Sequence, residues 1–123
     1  MLELGCAHVS EVFTAFGEYG VKAERVAGDA VKQAREYLEA DVPVGPHLAD
    51  QLLLPLGISA WQGGDAGLSR TGPQRGGSFR TLPLTGHATT HIDLLRHFLG
   101  VAIDAEQAPG DGCCTVRIAP SSI

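Results

Sequence analysis

The stretch Leu84-Thr85-Gly86-His87-Ala88-Thr89-Thr90-His91-Ile92-Asp93 decides how the chain is laid out. Phe79 to Leu84 reads as a short strand. Beyond the stretch, Ile92, Leu95, Phe98 and Leu99 recur at helical spacing, which predicts a helix over about residues 90–99. His87 thus stands where strand hands over to helix, after a glycine and just before Thr89 and Thr90, either of which suits a helix cap. Backbone N–H groups at a helix start point outward and welcome an anion. An imidazole beside a phosphate-sized anion site points to phosphoryl or nucleotidyl chemistry. The competing reading is a histidine that only caps or hydrogen-bonds.

Working outward toward the N-terminus, Val12, Thr14 and Phe16 alternate with Phe13 and Ala15. Val9 to Phe16 therefore reads as a strand apolar on both faces, hence a central one, ended by Gly17 and Gly20. From Lys22 to Ala40 the period becomes helical. Ala23, Val26, Ala27, Ala30, Val31, Ala34, Tyr37 and Leu38 form one stripe, and charges such as Lys32 and Glu36 cover the other side. Asp41 to Pro46 is a turn, and Pro46 suits a first helical position, so a second helix is expected from Pro46 to about Leu54. Its Leu48, Ala49 and Leu52 make an apolar side. His47, Asp50 and Gln51, at i, i+3 and i+4, form either a solvated face or one wall of a pocket.

Residues 57–78 are Gly-rich and read as a long surface loop inserted in a single domain, 1–123. No acidic residue occurs between Asp65 and Asp93, while Arg70, Arg75 and Arg80 all do. That basic segment is either a solvated insertion or a contact for phosphate, which arginine binds bidentately. Past the 90–99 helix, Val101 to Ala105 and Cys114 to Ala119 read as strands of an antiparallel hairpin across Ala108 to Gly112. These elements make an α+β fold with four strands. The expected arrangement is a mixed four-stranded sheet with the helices on one face.

Composition narrows the class. The 123 residues suit one core, 44% hydrophobic with 19% charged is ordinary for a globular chain, and no apolar run reaches the roughly 20 residues of a membrane span. No signal peptide is visible at the N-terminus, so a cytoplasmic location and no membrane partner are expected. A net charge of −5 argues against nucleic-acid binding over the whole surface, though not against a local basic patch. Cys6, Cys113 and Cys114 are an odd set. The adjacent pair should point to opposite faces of a strand, which fits reduced, structural thiols better than a metal site. His87 and His91 stand at i, i+4, a spacing that suits zinc, but a third ligand is not evident.

Three segments taken together go further: Glu11-Val12-Phe13-Thr14-Ala15-Phe16-Gly17-Glu18, Val44-Gly45-Pro46-His47-Leu48-Ala49-Asp50-Gln51-Leu52-Leu53-Leu54-Pro55 and Thr85-Gly86-His87-Ala88-Thr89-Thr90-His91-Ile92. From about Leu4 to Ile118 the chain resembles the C-terminal part of RNA 3′-terminal phosphate cyclases. That resemblance implies one β-α-β-α-β-β unit, here with an extra short helix. It also implies ATP-dependent nucleotidyl transfer, assisted by Mg²⁺ or Mn²⁺. The residue matching His87 attacks the α-phosphate of ATP to give a histidine–AMP adduct. The adenylyl group passes to an RNA 3′-phosphate end, and the 2′-hydroxyl then closes a 2′,3′-cyclic phosphate. In this picture Asp50 orients the His87 ring, Gln51 and His47 line the nucleotide site, and Arg70, Arg75 and Arg80 are candidates for RNA contact.

The sequence also departs from the family pattern. His91 stands where relatives usually carry asparagine, and His47 where they often carry an aromatic residue. Family enzymes are more than twice as long, and their N-terminal part supplies further acidic, arginine and glutamine residues. The chain therefore reads as a C-terminal fragment or a truncated relative that lacks those groups. Family members without the nucleophile are non-catalytic ribosome-biogenesis factors, so a non-catalytic RNA- or partner-binding module is the alternative function. A lone unit of this kind exposes surface that normally meets its neighbours, and self-association is expected.

Overall fold

Val9 and its neighbours find a strand partner close at hand. The computed structural model of the chain, which describes residues 1–64 and 75–121, pairs β1 (Leu2–Gly5) with β2 (Ser10–Phe13) as an antiparallel hairpin. Leu2 lies opposite Phe13, Gly5 lies opposite Ser10, and the Cys6 N–H donates to the Val9 carbonyl at 2.9 Å. The expected central strand Val9 to Phe16 is thus a four-residue strand of a two-stranded sheet with one covered face. Glu11 and Phe13 are buried, Ser10 and Val12 are exposed. Closing a short local loop costs little chain entropy, so the hairpin wins over a distant partner.

Helix α1 (Ala23–Ala40) begins one residue after Lys22 and ends at Asp41, a non-glycine residue in the left-handed region at φ 50°. Its main partner is the hairpin, and Cys113 also reaches the Ala40 carbonyl at 3.8 Å. Because the hairpin is narrow, the buried strip is only Ala30, Ala34 and Tyr37, while Val31 and Leu38 from the expected stripe stay exposed. On the outer side Lys32 and Glu36 pair at 3.8 Å. Phe13, Ala34, Tyr37, Val42 and Cys113 make a small core beneath α1.

Helix α2 runs from Pro46 to Gly64, ten residues past the expected end at Leu54. Pro55 removes one backbone donor inside it. The helix continues because Ala49, Leu53, Gly57 and Ala60 form an unbroken buried stripe, and tertiary packing overrides the breaker. The loop expected at 57–78 is therefore helical over 57–64. At its other end residues 77–78 belong to β3 (Gly77–Thr81), and 65–74 lie outside the described residues.

Helix α3 (Gly86–Leu99) follows, then β4 (Ala102–Gln107) and β5 (Cys114–Ala119). The last two form the antiparallel hairpin the sequence predicts, with Ile103 opposite Ile118. Strand β3 joins the other edge of β5, placing Phe79 opposite Val116, so the sheet order is β3-β5-β4 and wholly antiparallel. The fold is α+β as expected, but the mixed four-stranded sheet is instead two antiparallel sheets of two and three strands. Parallel pairing survives, among the described residues, as the single bridge between Val44 and Thr81. The chain entering α2 only touches the end of β3 before turning helical.

Helices α2 and α3 lie side by side on one face of the three-stranded sheet. Ala49, Leu53 and Ala60 meet Ala88, Ile92 and Leu95 over Phe79, Ile103, Val116 and Ile118. The two helices run in the same sense. Asp50 faces His87 and His91 near their N-terminal ends, and a Cβ on Gly57 further along would touch Leu95 and Leu99 at 3.5 and 3.7 Å. Cys113 and Cys114 do diverge as expected, one into each core, and all three thiols are free. Among the described residues no helix is long and apolar enough to cross a membrane.

Candidate functional site

Two helix starts meet at the site. The N-cap of α3 is Thr85, not Thr89 or Thr90: its extended backbone turns into the helix and its hydroxyl accepts from the Ala88 N–H at 3.1 Å. His87 is therefore the second residue of α3, inside the first turn rather than ahead of it. The Thr89 and Thr90 hydroxyls instead donate to the Gly86 carbonyl, each at 2.9 Å. Ala88 and Thr89 donate to Thr85, which leaves the Gly86 and His87 N–H groups without an intrahelical acceptor, and together with the helix dipole they favour an anion there.

Asp50 comes from the first turns of α2. Its Oδ1 accepts a hydrogen bond from Nδ1 of His91 at 3.1 Å, and its Oδ2 stands 3.1 Å from Nδ1 of His87. The sequence spacing explains this. His87 and His91, one turn apart on α3, present the same face to α2. The three side chains differ in exposure: His87 is 81% exposed, Asp50 28% and His91 25%. Burial pushes the Asp50 carboxyl up, but the hydrogen bonds and charges of His91 and His87 outweigh it and hold the group below its ordinary value. Asp50 is therefore an ionised acceptor near neutrality. An imidazole whose Nδ1 faces a carboxylate keeps its proton on that nitrogen and leaves Nε2 with a free lone pair.

His47 is exposed three residues before Asp50, roughly 60° round α2 from it, on the same outward side. Gln51 is exposed as well but sits about 100° away from Asp50. The structure thus brings Asp50 to His87, leaves His47 beside them, and turns Gln51 further aside. His91 enters the site although its spacing to His87 suggested only a metal pair. Among the described residues no group of three His, Cys, Asp or Glu side chains is set to hold a metal ion.

Arg75 and Arg80 stand away from this site. Arg80 sits between buried Phe79 and Thr81, so it points to the sheet face away from the helices, where it pairs with Asp111 at 2.6 Å. Arg75 donates to the Gln62 carbonyl at 2.6 Å, and about 18 Å of α2 separates that residue from Asp50. With Arg117 it borders an open groove of about 550 Å³ that also touches Ser78 and Pro120. Arg70 lies outside the described residues.

Behind the site is a group the sequence reading passed over. Glu11 is buried at 3% exposure, and its Oε1 accepts from the Gly45 N–H at 2.6 Å, just ahead of α2. Its signal was parity: in the alternating strand Glu11 shares a face with Phe13.

Comparison with known proteins finds RNA 3′-terminal phosphate cyclases among the relatives of this chain. The chain is 42% identical over 108 residues to the RNA 3′-terminal phosphate cyclase of Ectopseudomonas mendocina, covering 88% of this chain and 27% of that protein. It is 37% identical over 105 residues to that of Pseudomonas fluorescens, covering 85% and 26%, and 34% identical over 118 residues to that of Koribacter versatilis, covering 96% and 28%. The chain thus spans about a quarter of the length of the curated relatives it matches. No family model matches it.

Proposed function

The chain is a relative of the RNA 3′-terminal phosphate cyclases, and from that premise we propose that it carries the nucleophile of an ATP-dependent RNA 3′-phosphate cyclisation. One observation supports this above the others: Nδ1 of an exposed histidine in the first turn of a helix stands 3.1 Å from a carboxylate held in its ionised form.

In this reading Nε2 of His87 forms a bond to the α-phosphorus of ATP while the bond from phosphorus to the bridging oxygen breaks. Pyrophosphate leaves with that electron pair. Asp50 keeps the proton on Nδ1 and offsets the positive charge the ring acquires. The free N–H groups at the start of α3 face the transferring phosphoryl oxygens. His47 meets the nucleobase with its ring. The adenylyl group then passes to the RNA 3′-phosphate and frees the imidazole. Attack by the 2′-hydroxyl closes the cyclic phosphate and releases AMP. A divalent ion arriving with ATP would offset negative charge on its phosphates. These residues do not fit a resident metal, because both Asp50 oxygens already face imidazoles. Groups from outside this quarter of the relatives' length complete the reaction.

The open groove bordered by Arg75 and Arg117 supports a second reading, a module that binds RNA or a partner chain without turnover. The two separate on incubation with α-labelled ATP and Mg²⁺ or Mn²⁺, followed by denaturing electrophoresis. Catalysis predicts a label that is acid-labile, base-stable and lost in His87→Ala. Asp50→Asn should slow labelling on the order of 10²-fold. An unlabelled wild-type chain that still shifts a 3′-phosphorylated RNA in a gel would sink the catalytic reading and leave the binding module.

A further inference from the structure

Asp50 serves two rings, and they are not alike. The His87 ring is four-fifths exposed, and water competes for its partner on every side. The His91 ring is three-quarters shielded and makes the hydrogen bond to Oδ1. An aspartate carboxylate has a broad, weakly restrained terminal torsion, so its rotamer alone does not fix where the two oxygens point. Something must hold the plane. Among the described residues the partners of the Asp50 carboxylate come from α3. Across the groove His91, one turn after His87 on the same helix, donates from Nδ1 to one oxygen and leaves the other aimed at His87.

We propose that His91 is a positioning residue: its Nδ1–H fixes the Asp50 carboxylate, and through it the tautomer and orientation of the His87 ring. The inference rests on the nucleophilic role given to His87 above and assigns a task to a side chain that the reaction itself leaves unused. The contact to Oδ1 needs one N–H from His91, a task that an amide N–H performs equally well. What matters is one N–H directed at Oδ1, and the ring is otherwise replaceable.

Two variants separate the donor from the ring. His91→Phe keeps the ring and removes the N–H. His91→Asn keeps an N–H and removes the ring. The first readout is the nitrogen spectrum of the His87 side chain at a pH where the imidazoles are neutral, taken on the whole chain without ATP. In the wild type His87 is expected mainly as the Nδ1–H tautomer. In His91→Phe the ratio of Nδ1–H to Nε2–H should fall about fivefold, which is what one net hydrogen bond commonly contributes. In His91→Asn it should return to the wild-type value. Amide spectra establish that each variant is folded, and His91→Ala replaces His91→Phe where the larger ring disturbs α3. A His87 tautomer ratio that is the same in all variants, or that falls equally in the Asn and Phe variants, overturns the proposal.

The second readout is labelling from α-labelled ATP, expected to slow by a similar factor in His91→Phe and to recover in His91→Asn. An unlabelled wild type counts against His87 as nucleophile, whereas the tautomer ratios still decide whether His91 positions Asp50.

Discussion

The chain has two cores of different build, and the site belongs to one of them while depending on both. Thirteen buried residues join α2, α3 and the three-stranded sheet, with Leu53 and Val116 wholly enclosed. The core under α1 has five, organised by one aromatic pair, Phe13 and Tyr37, with ring centres 5.7 Å apart and planes tilted by 47°. The larger core is mainly apolar packing, with the buried Thr81 hydroxyl at its edge. The smaller one spends part of its interior on polar contacts. The Tyr37 hydroxyl donates to the Pro43 carbonyl at 3.2 Å, and burial, with Cys6 and Glu11 nearby, pushes that phenol up to about 12. Apolar packing sets the spacing of α2 and α3, and so how far Asp50 stands from the two histidines. The polar unit fixes where α2 begins, through Glu11 and Gly45.

If the two cores are energetically distinct, removing a large side chain from each should have different consequences. Leu53→Ala leaves a cavity in the larger core and should cost about 2–5 kcal/mol, lowering the melting temperature of the whole chain in a single transition. Phe13→Ala should instead speed amide hydrogen exchange across β1, β2 and α1, while α2, α3 and the three-stranded sheet keep most of their protection. Equal loss of protection in both halves would show that the two cores unfold as one unit, and the contrast would then be one of composition only.

The next effect tests the link between them. Glu11→Ala leaves the Gly45 N–H without its acceptor and should destabilise by about 1–3 kcal/mol, whereas Glu11→Gln retains an acceptor and should lose less. Gly45→Ala approaches the same contact from the other side. A Cβ there would lie 2.8 Å from Oε2 of Glu11, so the carboxylate must move. Glu11→Ala and Gly45→Ala together should cost little more than either alone, because both break one interaction. Full additivity in a double-mutant cycle would show that Glu11 stabilises the fold by some other route.

These same residues show how far the sequence could be read. Helix α1 and strand β5 were legible because each follows one strong period within its own residues. The end of α2 was not, since Gly57 and Pro55 argue locally against a helix that distant packing sustains. The partner of β2 was missed because β1 is four residues long with a weak pattern of its own. At the site, Asp50 and His87 were each singled out, and the structure stands them 3.1 Å apart. The place of His91 needed the relative rotation of two helices, which no one-dimensional pattern contains. Glu11 was readable from its parity with Phe13, but a charged residue in a strand is ordinarily assigned to solvent.

The smallest effect on stability concerns surface that neither core covers. Self-association is expected of the sheet edge and surface that normally meet neighbouring units. The outer edge strand β4, however, carries Asp104 and Glu106, and charges on an edge discourage pairing with another copy. The exposed apolar residues lie elsewhere: Leu54, Ile58 and Trp61 follow one another on α2 at i, i+4 and i+7, and Leu94 and Phe98 do so on α3 at i, i+4. Both sets occupy the outward sides of helices that lie side by side. Association should therefore run through the helices. Replacing Leu94 and Phe98 together by serine should cost about 1 kcal/mol or less, since Phe98 is mostly and Leu94 half in water. In sedimentation the wild-type chain should gain apparent mass with concentration, and the double variant should gain less. A wild type that stays monomeric over a wide concentration range removes the association altogether. One that associates as strongly with both serines in place moves it back to the strands.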